Sequence, residues 1–88
     1  MPRVIVPPIE VDVNGVKCII LEVTGHEWLN DEKHYVVSVF CRYNGYRSKV
    51  FQLYVRNNKE LASKLKVEAD KMRLLIRSGQ TQEFIRES

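Results

Sequence analysis

The residues best suited to chemistry surround the second of two Asn-Gly pairs in the chain. The stretch CRYNGYRSK places Arg42, Arg47 and Lys49 around Asn44-Gly45, and no Asp or Glu occurs between residues 34 and 59. Phosphate binding needs Lys and Arg side chains that are not neutralised by nearby acids. The composition therefore predicts a surface that attracts a negatively charged partner.

Charge is unevenly divided along the 88 residues, which carry 14 basic and 11 acidic side chains. Residues 1–33 hold three basic and six acidic side chains, a net charge of −3, and residues 34–88 hold the remaining eleven basic and five acidic ones, a net charge of +6. A field of one sign favours nucleic acid or an acidic protein as the partner.

The flanks of the second Asn-Gly pair suggest a binding surface. If the pair forms a hairpin turn, Tyr43 faces Tyr46 and Arg42 faces Arg47, although like charges directly opposite each other destabilise a sheet. Tyrosine rings offer flat faces for unpaired bases, worth roughly 1–3 kcal/mol per stacked base. Basic residues at a tip can also simply prevent edge pairing, and tyrosine is a good strand former. The candidate nucleic-acid-binding residues are Arg42, Tyr43, Tyr46, Arg47, Lys49 and Arg56.

The sequence supports a catalytic or metal-binding site less well than a binding surface. The segment HEWLNDEKH carries five potential metal ligands, but a helical zinc-protease motif would need histidine where Asn30 stands. Cys41 and His34 point to opposite faces of a strand, so they form no nucleophile–base pair. Cys18 and Cys41 show no zinc-ligand spacing and are expected to be reduced, half-buried core thiols. We expect no enzyme activity, no cofactor and no metal.

The elements that position these residues begin with a first hairpin. IEVDV (9–13), the pair Asn14-Gly15 and VKCIILEV (16–23) fit a type I′ turn that sets Val13 opposite Val16. Gly25 is a candidate β-bulge that lets the second strand continue to Leu29, with a turn at 30–33.

The second hairpin joins HYVVSVFCRY (34–43) to YRSKVFQLYV (46–55) through Asn44-Gly45. An uninterrupted register sets Val39 opposite Val50 and Tyr35 opposite Tyr54. One face then carries valines and four tyrosines, and the other is apolar at the open end and basic at the tip. The sequence leaves open which of the two faces a helix covers.

A single helix follows. Asn57 and Glu60 have capping-box spacing, and Gly79 is the predicted C-terminal stop. The apolar residues span about 140° of the helix surface, a width typical of a core-facing stripe. Lys59, Lys66, Arg73 and Arg77 share one flank, which is either an extension of the basic surface or a solvated side. The apolar stripe consists of Leu61, Ala62, Leu65, Ala69, Met72, Leu75 and Ile76.

These elements predict an α+β fold, a four-stranded antiparallel meander followed by one C-terminal helix on one sheet face. Residues 1–79 would form a single ββββα domain and residues 80–88 a C-terminal tail, in which Phe84-Ile85 either tucks in or frays. Because one helix covers only one face, the other is available to a partner.

A strand–turn–strand unit followed by an Asn-capped basic helix, over about residues 26 to 77, resembles the small three-strand-plus-helix DNA-binding domains of phage-type integrases. The resemblance lies in topology and charge, with no specific motif shared. It implies a sheet that enters the DNA major groove.

The sequence therefore predicts a non-enzymatic nucleic-acid-binding domain, with DNA favoured, that makes mostly phosphate contacts. The alternative is a small protein-interaction or inhibitor module that docks an acidic protein through the sheet face. No apolar run reaches the roughly 20 residues of a membrane-spanning helix, so we expect no membrane contact and a cytoplasmic location. The small core and the spare apolar residues Val67 and Leu74 favour a homodimer.

Overall fold

The two Asn-Gly pairs form the turns that organise the sheet. In a computed structural model, which describes residues 3–4, 8–29 and 32–87, Asn14 and Asn44 have φ angles of 52° and 50°. The glycines that follow are also at positive φ, as a type I′ turn requires at both central positions. Each turn therefore joins two neighbouring antiparallel strands by the shortest connection.

The strands form one antiparallel sheet centred on β3 and β4. Strands β1 and β2 pair with β3, β5 and β6 pair with β4, and β7 pairs with β5. The predicted α+β fold, with a C-terminal helix on one sheet face, is confirmed. The sheet exceeds the predicted four strands because a short strand is added near each end of the chain and the fourth strand is divided in two. The elements are β1 (Arg3–Val4), β2 (Ile9–Val13), β3 (Val16–Leu29), β4 (Glu32–Tyr43), β5 (Tyr46–Arg47), β6 (Phe51–Val55), α1 (Asn58–Arg77) and β7 (Ile85–Arg86).

The first hairpin has the predicted register, with Val13 opposite Val16. Strand β3 shifts register between Thr24 and Glu27, which confirms the irregularity predicted at Gly25 and carries the strand on to Leu29. The turn predicted at 30–33 is wrong for its second half, because Leu29 already pairs with Glu32. Residues 30 and 31 lie outside the described residues.

The predicted register of the second hairpin is wrong beyond the turn. Arg42 pairs with Arg47 as expected, but Val39 pairs with Phe51 and not with Val50. One extra residue therefore lies between β5 and β6, at 48–50. As a result Phe51, Leu53 and Val55 share a face with Val37 and Val39, and Val50 is exposed.

Helix α1 begins and ends as the sequence indicates. The side chain of Asn57 accepts a 2.8 Å hydrogen bond from the Glu60 N–H. Gly79, at φ 79°, donates to the Ile76 carbonyl, and Gln80 donates to the Leu75 carbonyl at 2.9 Å. This is the Schellman arrangement, which satisfies carbonyls that the helix end would otherwise leave unpaired.

The core lies between α1 and the sheet face that carries Val37, Val39 and Cys41. The helix contributes Leu65, Ala69, Met72 and Ile76 to it. Val67 and Leu74 lie on the far side of the helix, 63% and 67% exposed. No helix within the described ranges covers the other sheet face, where the described side chains include two that are buried outside this core, Ile19 and Val36.

Candidate nucleic-acid interface

The antiparallel order brings both Asn-Gly turns to the same end of the sheet. Lys17, which follows the first turn, pairs with Arg42, which precedes the second, and Arg42 pairs with Arg47 on its other side. We call Lys17, Arg42 and Arg47 the basic row. They occupy neighbouring strands at one level, on the face that α1 does not cover, and Asp12 of β2 ends the row opposite Lys17.

An acid of the same chain lies against the middle of the row. The Arg42 Nε donates to the Glu87 carboxylate at 3.0 Å. Glu87 is held there because β7 pairs with β5 and its own N–H donates to the Gly45 carbonyl at 2.7 Å. The repulsion of Arg42 by its basic neighbours is therefore partly relieved from within the molecule.

Arg47 is held differently. Its guanidinium lies 5.7 Å from the centre of the Phe40 ring, within cation–π range. Its Nε is buried and has no hydrogen-bond partner among the described residues. Arg47 thus presents a guanidinium fixed against an aromatic ring, with one donor still unsatisfied.

Tyr43 and Tyr46 are not on the same face as the basic row. They pair with each other across the turn and pack, half-buried, against the helix-side core. The Tyr43 hydroxyl accepts a 3.1 Å hydrogen bond from Arg77 Nε of the helix. Their rings are therefore engaged in packing, and of the aromatic side chains that the structure describes, Phe40 and Tyr54 lie on the helix-free face.

Lys49 and Arg56 lie apart from the basic row. Lys49 is exposed in the 48–50 segment, on a groove floored by Cys41 and Met72. Arg56 lies beyond the other end of β6, about 26 Å from the basic row at strand rise, and its Nε donates to Glu60 at 2.9 Å. Of the six predicted residues, the structure brings Arg42 and Arg47 together on one surface.

Two basic residues that were not among the predicted binding residues, Lys17 and Arg73, lie near the Asn-Gly turns. The position of Lys17 could have been predicted, because a four-stranded meander places both Asn-Gly turns at the same end of the sheet. Arg73 of the helix donates to the Asn14 carbonyl at 2.8 Å and to Asp70 at 3.0 Å. The helix C-terminus thus reaches the turn of the first hairpin.

The two cysteines face each other in β3 and β4. Their sulfur atoms are 3.5 Å apart, and both thiols are free and almost fully buried, at 0 and 1% exposure. The hydrogen bond with Cys18, together with burial, raises the pKa of the Cys41 thiol. Such a thiol is a poor nucleophile, because the thiolate is the reactive form.

The described residues show neither a group of metal ligands nor a membrane-spanning helix. Among the side chains that the structure describes, no three His, Cys, Asp or Glu residues form a group that could hold a metal ion. Most of the segment HEWLNDEKH lies outside that set, because residues 30 and 31 and the side chains of 26–29 and 32 are not among those described. Within the same described part of the chain, no helix combines the length and apolar character needed to cross a bilayer.

Comparison of the chain with protein-family models, with curated proteins and with solved structures gives no match.

Proposed function

We propose that the protein is a non-enzymatic nucleic-acid-binding domain, with DNA favoured, and that its basic row contacts phosphates. The observation that supports this is the alignment of Lys17, Arg42 and Arg47 on neighbouring strands of the helix-free face. Neighbouring strands are about 4.8 Å apart, so the row is about 10 Å long. Three cations in such a row can contact up to three phosphates.

The test is a salt titration of binding to a 20-base-pair duplex, followed by fluorescence anisotropy. Three phosphate contacts give a slope of about −2.7 in log K against log salt. Single-stranded DNA and RNA of the same length show which nucleic acid binds best. If none of the three binds at the lowest salt concentration, the proposal is wrong.

A matched pair of variants locates the surface. We expect Lys17→Gln with Arg42→Gln to reduce affinity at least fivefold and to make the salt slope shallower by about two contacts. The control is Lys59→Gln with Lys66→Gln, which removes the same charge from exposed positions of the helix. An equal loss in both double variants would mean that only net charge matters.

The second candidate is a module that docks an acidic protein through the same face. Phe40 and Tyr54 favour it, because aromatic residues beside arginine are frequent at the energetic centres of protein interfaces. Competition with heparin separates the two functions. A polyanion displaces nucleic acid from a phosphate-binding row, whereas a partner held by shape complementarity resists displacement.

A further inference from the structure

A second surface lies between the edge strand β2 and helix α1, and its groove opens on the side of the sheet that carries the helix. The helix packs over the centre of the sheet, and a groove of about 560 Å³ remains beside β2. Val11, Val13 and Leu61 are only half-buried although they pack against the core. The apolar lining is formed by Val11, Val13, Ile20, Leu61, Ala62 and Leu65.

The outer edge of β2 presents backbone groups beside this groove. Strand β2 pairs only with β3 among the described strands. The two-residue turn makes Val13 and Val16 a hydrogen-bonded pair, and such pairs alternate along an antiparallel ladder. Val11 therefore bonds to Cys18, and the N–H and C=O groups of Glu10 and Asp12 point away from β3.

The backbone hydrogen bonds of Cys41 independently support this alternation of inward and outward backbone groups. Its N–H donates to the Ser48 hydroxyl at 2.9 Å, and its carbonyl accepts from the Ser48 N–H at 2.8 Å. The Cys41 backbone therefore points away from β3, and Cys18 is left to bond towards β2. An extended chain alongside β2 would meet two donors and two acceptors at strand spacing.

The opposite edge of the sheet is closed to such pairing. Lys64 Nζ donates to the outward carbonyl of Tyr54, and the extra residue at 48–50 interrupts the strand. Charged caps and bulges are the means by which sheet edges avoid adding strands. Among the described residues, β2 has no bulge and no side chain bonded to its outward backbone groups, so it is the edge that is open to a partner strand.

Charge indicates the chemistry of that partner. Glu10 and Asp12 are exposed on the face of β2 that points away from the groove. A second copy of β2, paired antiparallel about Val11, would set Glu10 against Asp12, which is unfavourable. A strand with basic residues on that face pairs favourably with Glu10, and Asp12, which already faces Lys17 of β3, is shared between Lys17 and the partner strand. The sheet separates the partner's basic residues from Lys66 on the helix rim.

We propose that this groove binds an extended peptide segment of a partner protein, in which apolar and basic residues alternate, by adding it as a strand to β2. The apolar side chains enter the groove beneath α1, and the basic ones lie beside Glu10 and Asp12. This inference is independent of the function proposed for the basic row.

The test uses two blocked six-residue peptides, one of alternating valine and lysine and one of alternating valine and glutamate. Amide hydrogen exchange of Glu10 and Asp12 is followed by NMR. We expect the valine–lysine peptide to slow both amides at least tenfold and the valine–glutamate peptide to leave them unchanged. The proposal is overturned if neither amide slows at millimolar peptide, if both peptides act equally, or if protection falls on Gln52 and Tyr54 instead.

A pair of helix variants checks the groove itself. Ala62→Trp fills the groove from an exposed position, and Ser63→Trp places the same ring on an exposed position outside the groove lining. We expect Ala62→Trp to abolish the protection of Glu10 and Asp12 and Ser63→Trp to preserve it, with unchanged exchange elsewhere in the sheet showing that both variants are folded. Undiminished protection in folded Ala62→Trp would also overturn the proposal.

Discussion

Ser48 makes hydrogen bonds at the point where the register between β4 and the following strands shifts by one residue. Its hydroxyl accepts from the buried Cys41 N–H at 2.9 Å and donates to the Lys49 carbonyl at 3.0 Å. The side chain thus provides the hydrogen bond that the ladder loses where the extra residue is inserted. A short polar side chain here allows the strand to shift by one residue without leaving a buried donor unpaired.

We expect Ser48→Ala to destabilise the protein by about 1–3 kcal/mol, because the Cys41 N–H would be left buried without a partner. Urea unfolding measures the change. Ser63→Ala is the control, since that hydroxyl donates to the Lys59 carbonyl on an exposed helix turn, and surface changes of this kind stay within about 0.5 kcal/mol. A Ser48→Ala variant as stable as the control would show that the hydroxyl does not maintain the register.

Glu87 sets how much of the basic row is available to a phosphate. We expect Glu87→Gln to raise affinity for the duplex at low salt about 1.5- to 5-fold, the range that corresponds to one exposed ion pair of 0.2–1 kcal/mol. Glu83→Gln removes the same charge from the tail, at a position on the Lys49 groove. Equal gains in both variants would mean that the effect is one of net charge and not of the contact with Arg42.

At the scale of elements, the start of α1 differs in one contact from a standard capping box. The Glu60 side chain accepts from the backbone N–H of Arg56, one residue before the N-cap residue Asn57. That hydrogen bond is 3.3 Å long, and Glu60 also accepts one of 2.9 Å from the Arg56 guanidinium. These contacts lower the pKa of the Glu60 carboxyl below its ordinary value. The predicted capping residue Asn57 is confirmed, and Arg56, which is predicted to bind nucleic acid, forms an ion pair with Glu60 at the helix N-terminus.

Stability should depend on pH through this pair. Because the pKa of Glu60 is lower in the folded state, its contribution is present above the unfolded value of about 4.3 and is lost as pH falls through the folded value. We expect the stability difference between the protein and Glu60→Gln to be largest near neutral pH and to shrink below about pH 4. Urea unfolding at several pH values measures it, and a difference that does not change with pH contradicts the expectation.

The two hairpins show how far the sequence could predict these elements. In the first hairpin, the two-residue turn and the apolar alternation of β2 indicate the same pairing, so the sequence predicts the whole β2–β3 register. In the second, VFQLYV has apolar residues on both faces, so the pattern cannot detect a shift of one residue, and the decisive bond comes from the Ser48 side chain. The position of Lys17 beside Arg42 could be predicted from the meander order of the strands. The contact of Glu87 with Arg42 joins residues far apart in sequence, and no local signal marks it.

At the scale of the molecule, the homodimer stays a prediction, and the far side of α1 is where it can be tested. Val67 and Leu74 are exposed one heptad apart. We expect Val67→Ser with Leu74→Ser to convert a dimer to a monomer, as measured by light scattering. Val50→Ser, at an exposed valine of the sheet edge, is the control. A monomeric unmodified protein at high concentration rules the dimer out.

Strand β7 has a consequence for the timing of binding. It consists of two residues, and its pairing of Tyr46 with Arg86 closes a long stretch of chain, which costs conformational entropy. Short elements held by few backbone hydrogen bonds open locally at free energies well below that of global unfolding. We expect each opening to remove Glu87 from Arg42 while the rest of the sheet keeps its pairing. The basic row would then alternate between a tail-closed and a tail-open population, and a phosphate that needs the whole Arg42 side chain would bind with an affinity scaled by the open fraction.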